Sequence, residues 1–401
     1  MLAGSTGETM SERLWEALDR HLPAAIELRR ELHRDPELSG EESITRDRVL
    51  AAFGVTSEPH KVAETGAVVR VGGPGPAIGL RGELDALPVT ETTGYAWASR
   101  NDGIMHACGH DVHLSALVAV VRAIDEIGGD FPLLAVLQPR EETYPSGAQD
   151  IAANGVLVKE DCQAMIGVHV QPTLDDGVVA CVPGAVNASS DEFVIVIEGQ
   201  PGHAAYPHLT RDPLLAAAHL VVALQAVVSR GVDPMASAVL GVSSFSAGDA
   251  ANVVPGTARV SGTLRSLDDH TRDLLQSRLR DTADHIAHSH GCLADTRLTV
   301  GEPVLRNDPA LAAATNARLT ARGIEVSRSL RSLGADDFAF FAECWPSIML
   351  FVGTSSTERL HSPTFLPPDG AVRAVAEAML SAYLGTCDAL TPPETLTPTH
   401  E

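Results

Sequence analysis

The segment of this chain with the clearest chemical potential is His106-Ala107-Cys108-Gly109-His110-Asp111, followed thirty residues later by Glu141 and Glu142. A thiolate and an imidazole two residues apart can both reach metal at about 2.0–2.3 Å, and Asp111 is placed to orient those ligands from behind. One of two adjacent carboxylates can bind metal while the other takes a proton from water, because a bound metal lowers the pKa of water from 15.7 to about 7. These residues predict half of a two-metal hydrolase site, whose other ligands lie further along the chain.

The elements that would position these residues are strands alternating with helices. Apolar, β-branched runs predict the strands, and helices are predicted at 113–127 and 146–154. This alternation favours a largely parallel sheet covered by helices, in which ligands bind beyond the carboxyl ends of the strands. Each further candidate lies at such an end: Asp85 after a strand at 77–84, Glu141 and Glu142 after one at 131–137, and His169 in one at 164–170.

The pattern changes in the middle of the chain and later changes back. The middle segment predicts a strand, a helix, two strands, a helix and a strand, and this βαββαβ order is typical of a small α+β domain. We therefore predict an insertion that interrupts an α/β domain. The predicted boundaries are 1–187 and 303–390 for the two parts of the catalytic domain, 188–302 for the insertion, and 391–401 for a disordered tail rich in Thr, Pro and Glu.

Composition excludes several classes of protein. The 401 residues are 44% hydrophobic, which is enough for a substantial core and for two domains. The 52 acidic and 29 basic residues give a net charge of −23, which repels nucleic acid and anionic membrane surfaces. The most apolar run, at 214–228, is interrupted by His219 and Gln225. The N-terminus lacks the pattern of a secretory signal and the six cysteines form no dense framework, so a cytoplasmic location is predicted.

Seven ordered motifs are spread from about residue 28 to 385. They are Arg30-Glu31-Leu32-His33-Arg34-Asp35-Pro36-Glu37, Arg81-Gly82-Glu83-Leu84-Asp85-Ala86-Leu87-Pro88, Met105-His106-Ala107-Cys108-Gly109-His110-Asp111, Gln138-Pro139 leading into Glu141-Glu142, Gly202-His203-Ala204-Ala205 with Pro207-His208, Asn252-Val253-Val254-Pro255, and Leu360-His361-Ser362-Pro363. Together they resemble the motifs of metallopeptidase family 20, in its amidohydrolase branch of hippurate hydrolases, N-acyl-amino-acid hydrolases and auxin-conjugate hydrolases.

The resemblance implies a binuclear site that holds two divalent ions per chain, zinc or manganese, with cobalt or nickel also compatible. In this family pattern Glu141 is the general base and later the acid, and Asp85 orients a ligand. The implied metal ligands are Cys108, whose thiolate can bridge the two ions, together with His110, Glu142, His169 and His361.

The resemblance also gives the insertion two expected roles, as a lid and as the dimerisation domain of a homodimer. It implies that His203 reaches the active site of the partner subunit and stabilises the oxyanion. Asn252 and Arg265 are similar to lid residues that hold the substrate.

Two segments depart from the family pattern. Thr143-Tyr144-Pro145-Ser146-Gly147 replaces a glycine-rich run, and it adds a hydroxyl and a ring close to the predicted metals. Tyr144 is therefore a candidate substrate-binding residue. In Gly334-Ala335-Asp336-Asp337-Phe338, the positions before Asp337 differ from the usual Ser and Glu of the branch.

The predicted function is hydrolysis of the amide bond of an N-acyl amino acid or a related conjugate by an aminoacylase-like metalloenzyme. An alternative on the same site is a peptidase that acts on dipeptides or C-terminal residues. A second alternative, from another class, is a catalytically silent binding protein with a lid. An NAD-dependent dehydrogenase is excluded, because Gly72-Gly73-Pro74-Gly75 has a proline where a dinucleotide-binding helix would begin.

Overall fold

The computed structural model describes residues 9–391, and the chain divides into two compact units. The tail that was predicted to be disordered lies, apart from Thr391, outside the described residues. The larger unit runs to Gly184 and continues in Arg306–Leu330 and from Phe340 onward, whereas the smaller unit comprises Ala185–Leu305 and Arg331–Ala339.

The secondary structure alternates between strands and helices along both units. The helices of the described residues are α1 (Met10–Arg34), α2 (Ser43–Phe53), α3 (His110–Ile127), α4 (Gly147–Asn154), α5 (Val156–Lys159), α6 (Pro213–Gly231), α7 (Asp269–Ser289), α8 (Pro309–Ala321), α9 (Ala339–Ala342) and α10 (Gly370–Leu390). The strands are β1 (His60–Val62), β2 (Gly66–Val71), β3 (Ala77–Glu83), β4 (Leu133–Gln138), β5 (Cys162–Gln171), β6 (Val179–Ala180), β7 (Gly184–Asn187), β8 (Ser189–Glu198), β9 (Gly202–His203), β10 (Ala238–Ala247), β11 (Val253–Val254), β12 (Thr257–Ser266), β13 (Leu293–Val300), β14 (Leu305–Asn307), β15 (Val326–Ser327) and β16 (Ser347–Gly353).

The larger unit is built on a sheet of eight strands in the order β1-β2-β4-β3-β5-β16-β6-β15. Four of its seven pairings, which join β4 to β3, β3 to β5, β5 to β16 and β6 to β15, are parallel. Every residue of β3, β4 and β16 is buried, as expected for parallel strands covered on both faces. The predicted α/β class with a mostly parallel sheet is confirmed.

Helix α3 is buried along most of its length, from His110 to Val121. Apolar side chains fill its middle turns, yet its first turn carries His110, Asp111 and His113, all of them buried. Buried ionisable groups persist only where partners compensate their loss of water. The beginning of α3 is therefore the place where this core must supply such partners.

The smaller unit contains an antiparallel sheet in the order β10-β12-β8-β13, packed against α6 and α7. Alternate residues of β8, Phe193, Ile195 and Ile197, point into the core shared with the two helices. Asp212 caps α6 by accepting hydrogen bonds from two backbone amides, and Pro213 occupies the first helical turn. Apart from the two-residue strands β9 and β11, the elements from β8 to β13 follow the predicted βαββαβ order.

Helix α6 has the length and apolar composition that a membrane-crossing helix needs. Ala216, Leu220 and Leu224 are nevertheless buried in the core of the smaller unit. Core helices of soluble proteins pass the same test of length and composition, so this property alone is a weak indication of a membrane span.

Candidate metal centre

Strand ends and the beginning of a helix position the predicted site. Asp85 follows β3, Glu141 and Glu142 follow β4, and His169 lies near the end of β5. Since β4 and β5 both pair in parallel with β3, which lies between them, the carboxyl ends of the three strands meet at one edge of the sheet. His110 opens α3 and its imidazole contacts the backbone of Asp85, which brings that helix to the same edge.

The turn between Cys108 and His110 depends on a glycine. Gly109 caps α3 with a φ of 87°, in the left-handed region, and a Cβ at this position would lie 2.7 Å from Cγ2 of Val170. The close approach to Val170 brings the turn against β5, where Cys108 Sγ lies 3.3 Å from His169 Nε2.

The structure brings the five predicted metal ligands together. Cys108 Sγ, a ring nitrogen of His110 and a carboxylate oxygen of Glu142 all lie within 4.8 Å of one another. His169 Nε2 adjoins Cys108, and His361 Nε2 lies 3.1 Å from Glu142 Oε1. A set of one thiolate, three imidazoles and a carboxylate suits zinc and other divalent transition metals.

His110 has the hydrogen-bonding pattern of a metal ligand. Its Nδ1 donates to the backbone oxygen of Asp85 over 2.8 Å. Its Nε2 is buried and has no hydrogen-bond partner among residues 9–391. Histidines that bind metal characteristically donate one ring N–H to a fixed acceptor, which turns the other nitrogen toward the ion. The residues present therefore fit a divalent metal.

Asp85 holds two of the candidate ligands at once. Its Oδ2 accepts hydrogen bonds from Ser39 Oγ at 2.7 Å and from the backbone N–H of Glu142 at 3.0 Å. Its Oδ1 lies 3.6 Å from His110 Nδ1, the same ring nitrogen that donates to the backbone oxygen of Asp85. Asp85 thereby fixes both the imidazole of His110 and the backbone of Glu142, and Ser39 is a support that carried no signal in the sequence.

The electrostatics of this cluster favour a cation. Burial by itself lowers the pKa of His110, but Asp85 and Glu83 outweigh it and raise that pKa to about 10. Burial, together with Glu142 and Glu141, raises the pKa of the Cys108 thiol well above its ordinary value. A thiolate at Cys108 and a neutral imidazole at His110 are thus disfavoured unless a positive ion is bound. Metal binding is therefore coupled to the release of protons from these groups.

Glu141 lies beside the donor set. Its Oε2 is 3.7 Å from His110 Nε2, and its side chain is mostly buried. The neighbouring residue, Arg140, is held by a hydrogen bond from its backbone N–H to Oε1 of the buried Glu42 at 2.9 Å. This anchored backbone sets where the two adjacent carboxylates can point, one among the ligands and the other next to them.

His361 reaches the cluster from a loop rather than from a strand end. Its backbone φ is 66° and half of its side chain is exposed. Its backbone N–H donates to the oxygen of Ala107 at 2.9 Å, and Ala107 immediately precedes Cys108. This bond fastens the last of the seven motifs to the turn that carries Cys108 and His110.

One predicted catalytic residue, His203, and two predicted substrate-binding residues, Asn252 and Arg265, belong to the smaller unit. His203 is exposed, and its Nδ1 accepts a hydrogen bond from the backbone N–H of Ala205 at 3.1 Å. Asn252 is also exposed, and Arg265 donates from Nη1 to the backbone oxygen of Leu333 at 3.3 Å. Tyr144 belongs to the larger unit, where it is 51% exposed. The catalytic role of His203 and the substrate-binding roles of the other three residues stay predictions.

Asp111 has different partners from those predicted. Its Oδ2 lies 3.0 Å from Nε of Arg29 and 3.1 Å from Nδ1 of His33, and all three side chains are fully buried. Arg29 also donates to the backbone oxygen of Pro367 at 2.6 Å and to Asp369 at 3.0 Å. Asp111 therefore anchors the beginning of α3 to α1, rather than orienting a ligand directly. His33 stands in the first motif, so its position was visible in the sequence although its partner was not.

Comparisons with known proteins agree with this architecture. The family model described as peptidase family M20/M25/M40 matches residues 79–380. An N-acetyl-L-cysteine deacetylase of Bacillus subtilis (strain 168) is 35% identical over 356 residues, which cover 86% of this chain and 84% of that protein. An N-acetyldiaminopimelate deacetylase of Shouchella clausii (strain KSM-K16) is 34% identical over 361 residues, which cover 89% of this chain and 96% of that protein. The structure of the YXEP protein of Bacillus subtilis, a dinuclear metal binding peptidase from the M20 family, superposes with a TM-score of 0.82 at 28% identity over 93% of this chain and 100% of that one.

Proposed function

This chain belongs to peptidase family M20/M25/M40, and we propose that, within this family of metal-dependent hydrolases, it cleaves the amide bond of N-acyl amino acids or related conjugates. The observation that carries the proposal is the donor set of Cys108, His110 and Glu142 with a second carboxylate, Glu141, beside it. The two deacetylases that are 35% and 34% identical to this chain, by their names, remove acetyl groups from amino acids, which supports an N-acyl substrate.

The proposed site holds two divalent ions. Cys108, His110, Glu142, His169 and His361 would bind them, and the mixture of thiolate, imidazole and carboxylate is compatible with zinc or manganese and also with cobalt or nickel. The dinuclear site named for the Bacillus subtilis protein supports the number two. Such ions, when bound, lower the pKa of water and polarise a substrate carbonyl.

The proton transfers are assigned to Glu141. It takes a proton from the attacking water as the oxygen bonds to the carbonyl carbon, and it gives that proton to the leaving nitrogen as the carbon–nitrogen bond breaks. The products are a carboxylic acid and an amine. Asp85 serves this step by holding His110 and the backbone of Glu142, through contacts of 2.8 and 3.0 Å.

The smaller unit is proposed to act as lid and dimerisation domain of a homodimer. His203 would then donate a hydrogen bond to the developing oxyanion in the partner subunit's site, an interaction typically worth about 3–4 kcal/mol. Asn252 and Arg265 would hold the substrate, and Tyr144 would shape its preference. The charge of −23 supports a small-molecule substrate in place of nucleic acid, and the cytoplasm is the proposed location.

The test combines metal analysis with turnover on one sample purified without chelator. We expect about two metals per chain, and release of amine from N-acetyl, N-benzoyl or long-chain N-acyl amino acids that stops on chelation and resumes when zinc or manganese is returned. Faster cleavage of dipeptides would assign the site to peptidase activity. No metal and no turnover after metal addition would refute the proposal and favour a binding protein.

Two pairs of variants separate the roles of the residues. Glu141→Gln should abolish turnover and keep both metals, whereas the same change at Glu58, an exposed residue, should alter neither. Cys108→Ala should lose at least one metal, whereas Cys344→Ala, at an exposed free cysteine, should lose none. Full metal content in the Cys108 variant, or substantial turnover in the Glu141 variant, would contradict the assignment.

A further inference from the structure

A second group of possible metal donors lies beside the candidate centre. Donor atoms of Glu83, His110, His113 and His169 all fall within 4.8 Å of one another, and all four residues are buried. His113 follows His110 by three residues on α3, and its ring centroid is 4.7 Å from that of His169. By residue type and position alone, His113 is as good a candidate ligand as His110.

The hydrogen bonds of His113 show that it differs from His110 in having no ring nitrogen available to a metal. The backbone N–H of Val170 donates to His113 Nε2 over 3.0 Å, so this nitrogen must carry a lone pair and no proton. His113 Nδ1 lies 3.0 Å from Oε2 of Glu83 and therefore carries the proton that it donates there. An imidazolium could not accept the bond from Val170. His113 is thus a neutral ring with both nitrogens engaged, whereas Nε2 of His110 has no such partner among the described residues.

The negative charge of Glu83 is compensated by neighbouring side chains, without a metal ion. Its Oε1 accepts a hydrogen bond from Nη1 of Arg81 at 2.5 Å, and Arg81 Nε donates to Oε1 of Gln138 at 2.8 Å. Glu83 and Arg81 are completely buried. Although burial raises it, Arg81 and His113 hold the pKa of Glu83 well below its ordinary value. The carboxylate therefore already has a compensating cation in Arg81 and a hydrogen-bond donor in His113.

The partner of His113 is the backbone N–H of Val170, the residue that follows a proposed ligand, and the backbone oxygen of the same residue contacts that ligand. The backbone oxygen of Val170 lies 2.7 Å from Nδ1 of His169, and His169 Nε2 lies 3.3 Å from Cys108 Sγ. The pairing of β3 with β5 ends at Leu80 with Ile166, four residues before Val170. At the end of β5, His113 consequently supplies the acceptor that a neighbouring strand would supply within the sheet.

We propose that His113 is a positioning residue for metal binding and not a metal ligand: with Glu83 it fixes Val170 through its backbone N–H, and the backbone carbonyl of the same residue in turn holds His169 with Nε2 toward Cys108. The proposal rests on the proposed function, since it takes His169 as a ligand. It goes further by assigning opposite roles to two buried histidines that share one turn of α3. Support of this kind typically changes metal affinity about 10–100-fold, whereas loss of a ligand removes a binding position.

The test compares His110→Ala, His113→Ala and His113→Gln in the full chain, by metal content at saturation and by affinity measured in competition with a chromogenic chelator. We expect His110→Ala to lose one metal per chain. We expect His113→Ala to keep two metals at saturation, with one bound about 10–100-fold more weakly. A glutamine amide can accept from the Val170 N–H and donate to Glu83, so His113→Gln should restore most of the affinity.

His113→Gln keeps the proposal falsifiable if the alanine variant does not fold. Loss of one metal at saturation in His113→Gln, matching His110→Ala, would make His113 a ligand and overturn the proposal. Wild-type affinity in His113→Ala would also overturn it, because no positioning would then be lost. Failure of the proposed function would look different, since wild-type protein would bind no metal and Cys108→Ala would have no effect. Cobalt loading adds a readout, as the absorption spectrum of Co²⁺ should be nearly the same in wild type and His113→Gln.

Discussion

Replacing His33 with glutamine tests how strongly one buried charge contributes to the stability of this protein. Nδ1 of His33 lies 3.1 Å from Oδ2 of Asp111, and Nε2 lies 3.2 Å from Oε2 of Glu91. Since each ring nitrogen faces a carboxylate, both can donate only when the ring is protonated. Arg29 shares Asp111 with His33, and the centroid of the His106 ring lies 6.4 Å from that of His33.

The magnitude follows from the change in protonation equilibrium. Burial lowers the pKa of His33, but Asp111 and Glu91 outweigh burial and raise that pKa from 6.5 to about 9. A folded-state pKa above the unfolded value gives stability that is complete below pH 6.5 and is lost as the pH rises through 9. At about 1.4 kcal/mol per pKa unit, the shift is worth at most about 3 kcal/mol.

The assay is denaturant unfolding of metal-loaded wild type and His33→Gln just below pH 6.5 and just above pH 9. Between these two pH values, we expect the free energy of unfolding of wild type to fall by up to about 3 kcal/mol more than that of the variant. Groups that titrate in both proteins contribute equally to the two changes, so their contributions cancel in the difference. His270→Gln, at an exposed position of α7, should follow wild type. If the two units unfold separately, hydrogen exchange of amides in α1 and α3 measures the pH dependence of local stability in wild type and in His33→Gln. Equal pH dependence of wild type and His33→Gln, within about 0.5 kcal/mol, would refute the reasoning.

Three substitutions test other features. Arg29→Met should lower the free energy of unfolding by about 3–5 kcal/mol, because it removes the guanidinium that is paired with the buried carboxylate of Asp111. Arg20→Met, at a surface ion pair, should cost under about 1 kcal/mol, and similar losses in the two variants would disprove the buried anchor. Asp212→Ala should cost about 1 kcal/mol in thermal unfolding, and an unchanged midpoint would exclude the cap. Gly109→Ala should lower metal affinity and should also lower the free energy of unfolding by more than Gly54→Ala does. Gly54 has a similar backbone conformation but open space around it, so its replacement should cost roughly 1 kcal/mol. Equal losses of stability together with intact metal binding would contradict the close packing at the turn.

Much of this fold could be predicted because its signals are local. Apolar runs predicted the strands, and the Asp212-Pro213 pair is a local signal of the same kind for the beginning of α6. Helix caps and side-chain periodicity are properties of a few consecutive residues. The same holds for Cys108 and His110, whose spacing permits joint metal binding whatever surrounds them. The predicted helix at 113–127 began too late, because a left-handed glycine at 109 starts α3 at His110.

Other features of the site were decided only by tertiary contacts. His110 and His113 are the same residue type on one helix, yet the Val170 amide and Glu83 occupy both nitrogens of His113, whereas the Asp85 backbone occupies one nitrogen of His110. Asp111 likewise anchors α1 through Arg29, 82 residues earlier in the chain. Whether a buried polar atom is available for metal depends on which donors and acceptors the fold brings within about 3 Å of it. Residue types and their spacing along the chain do not contain that information.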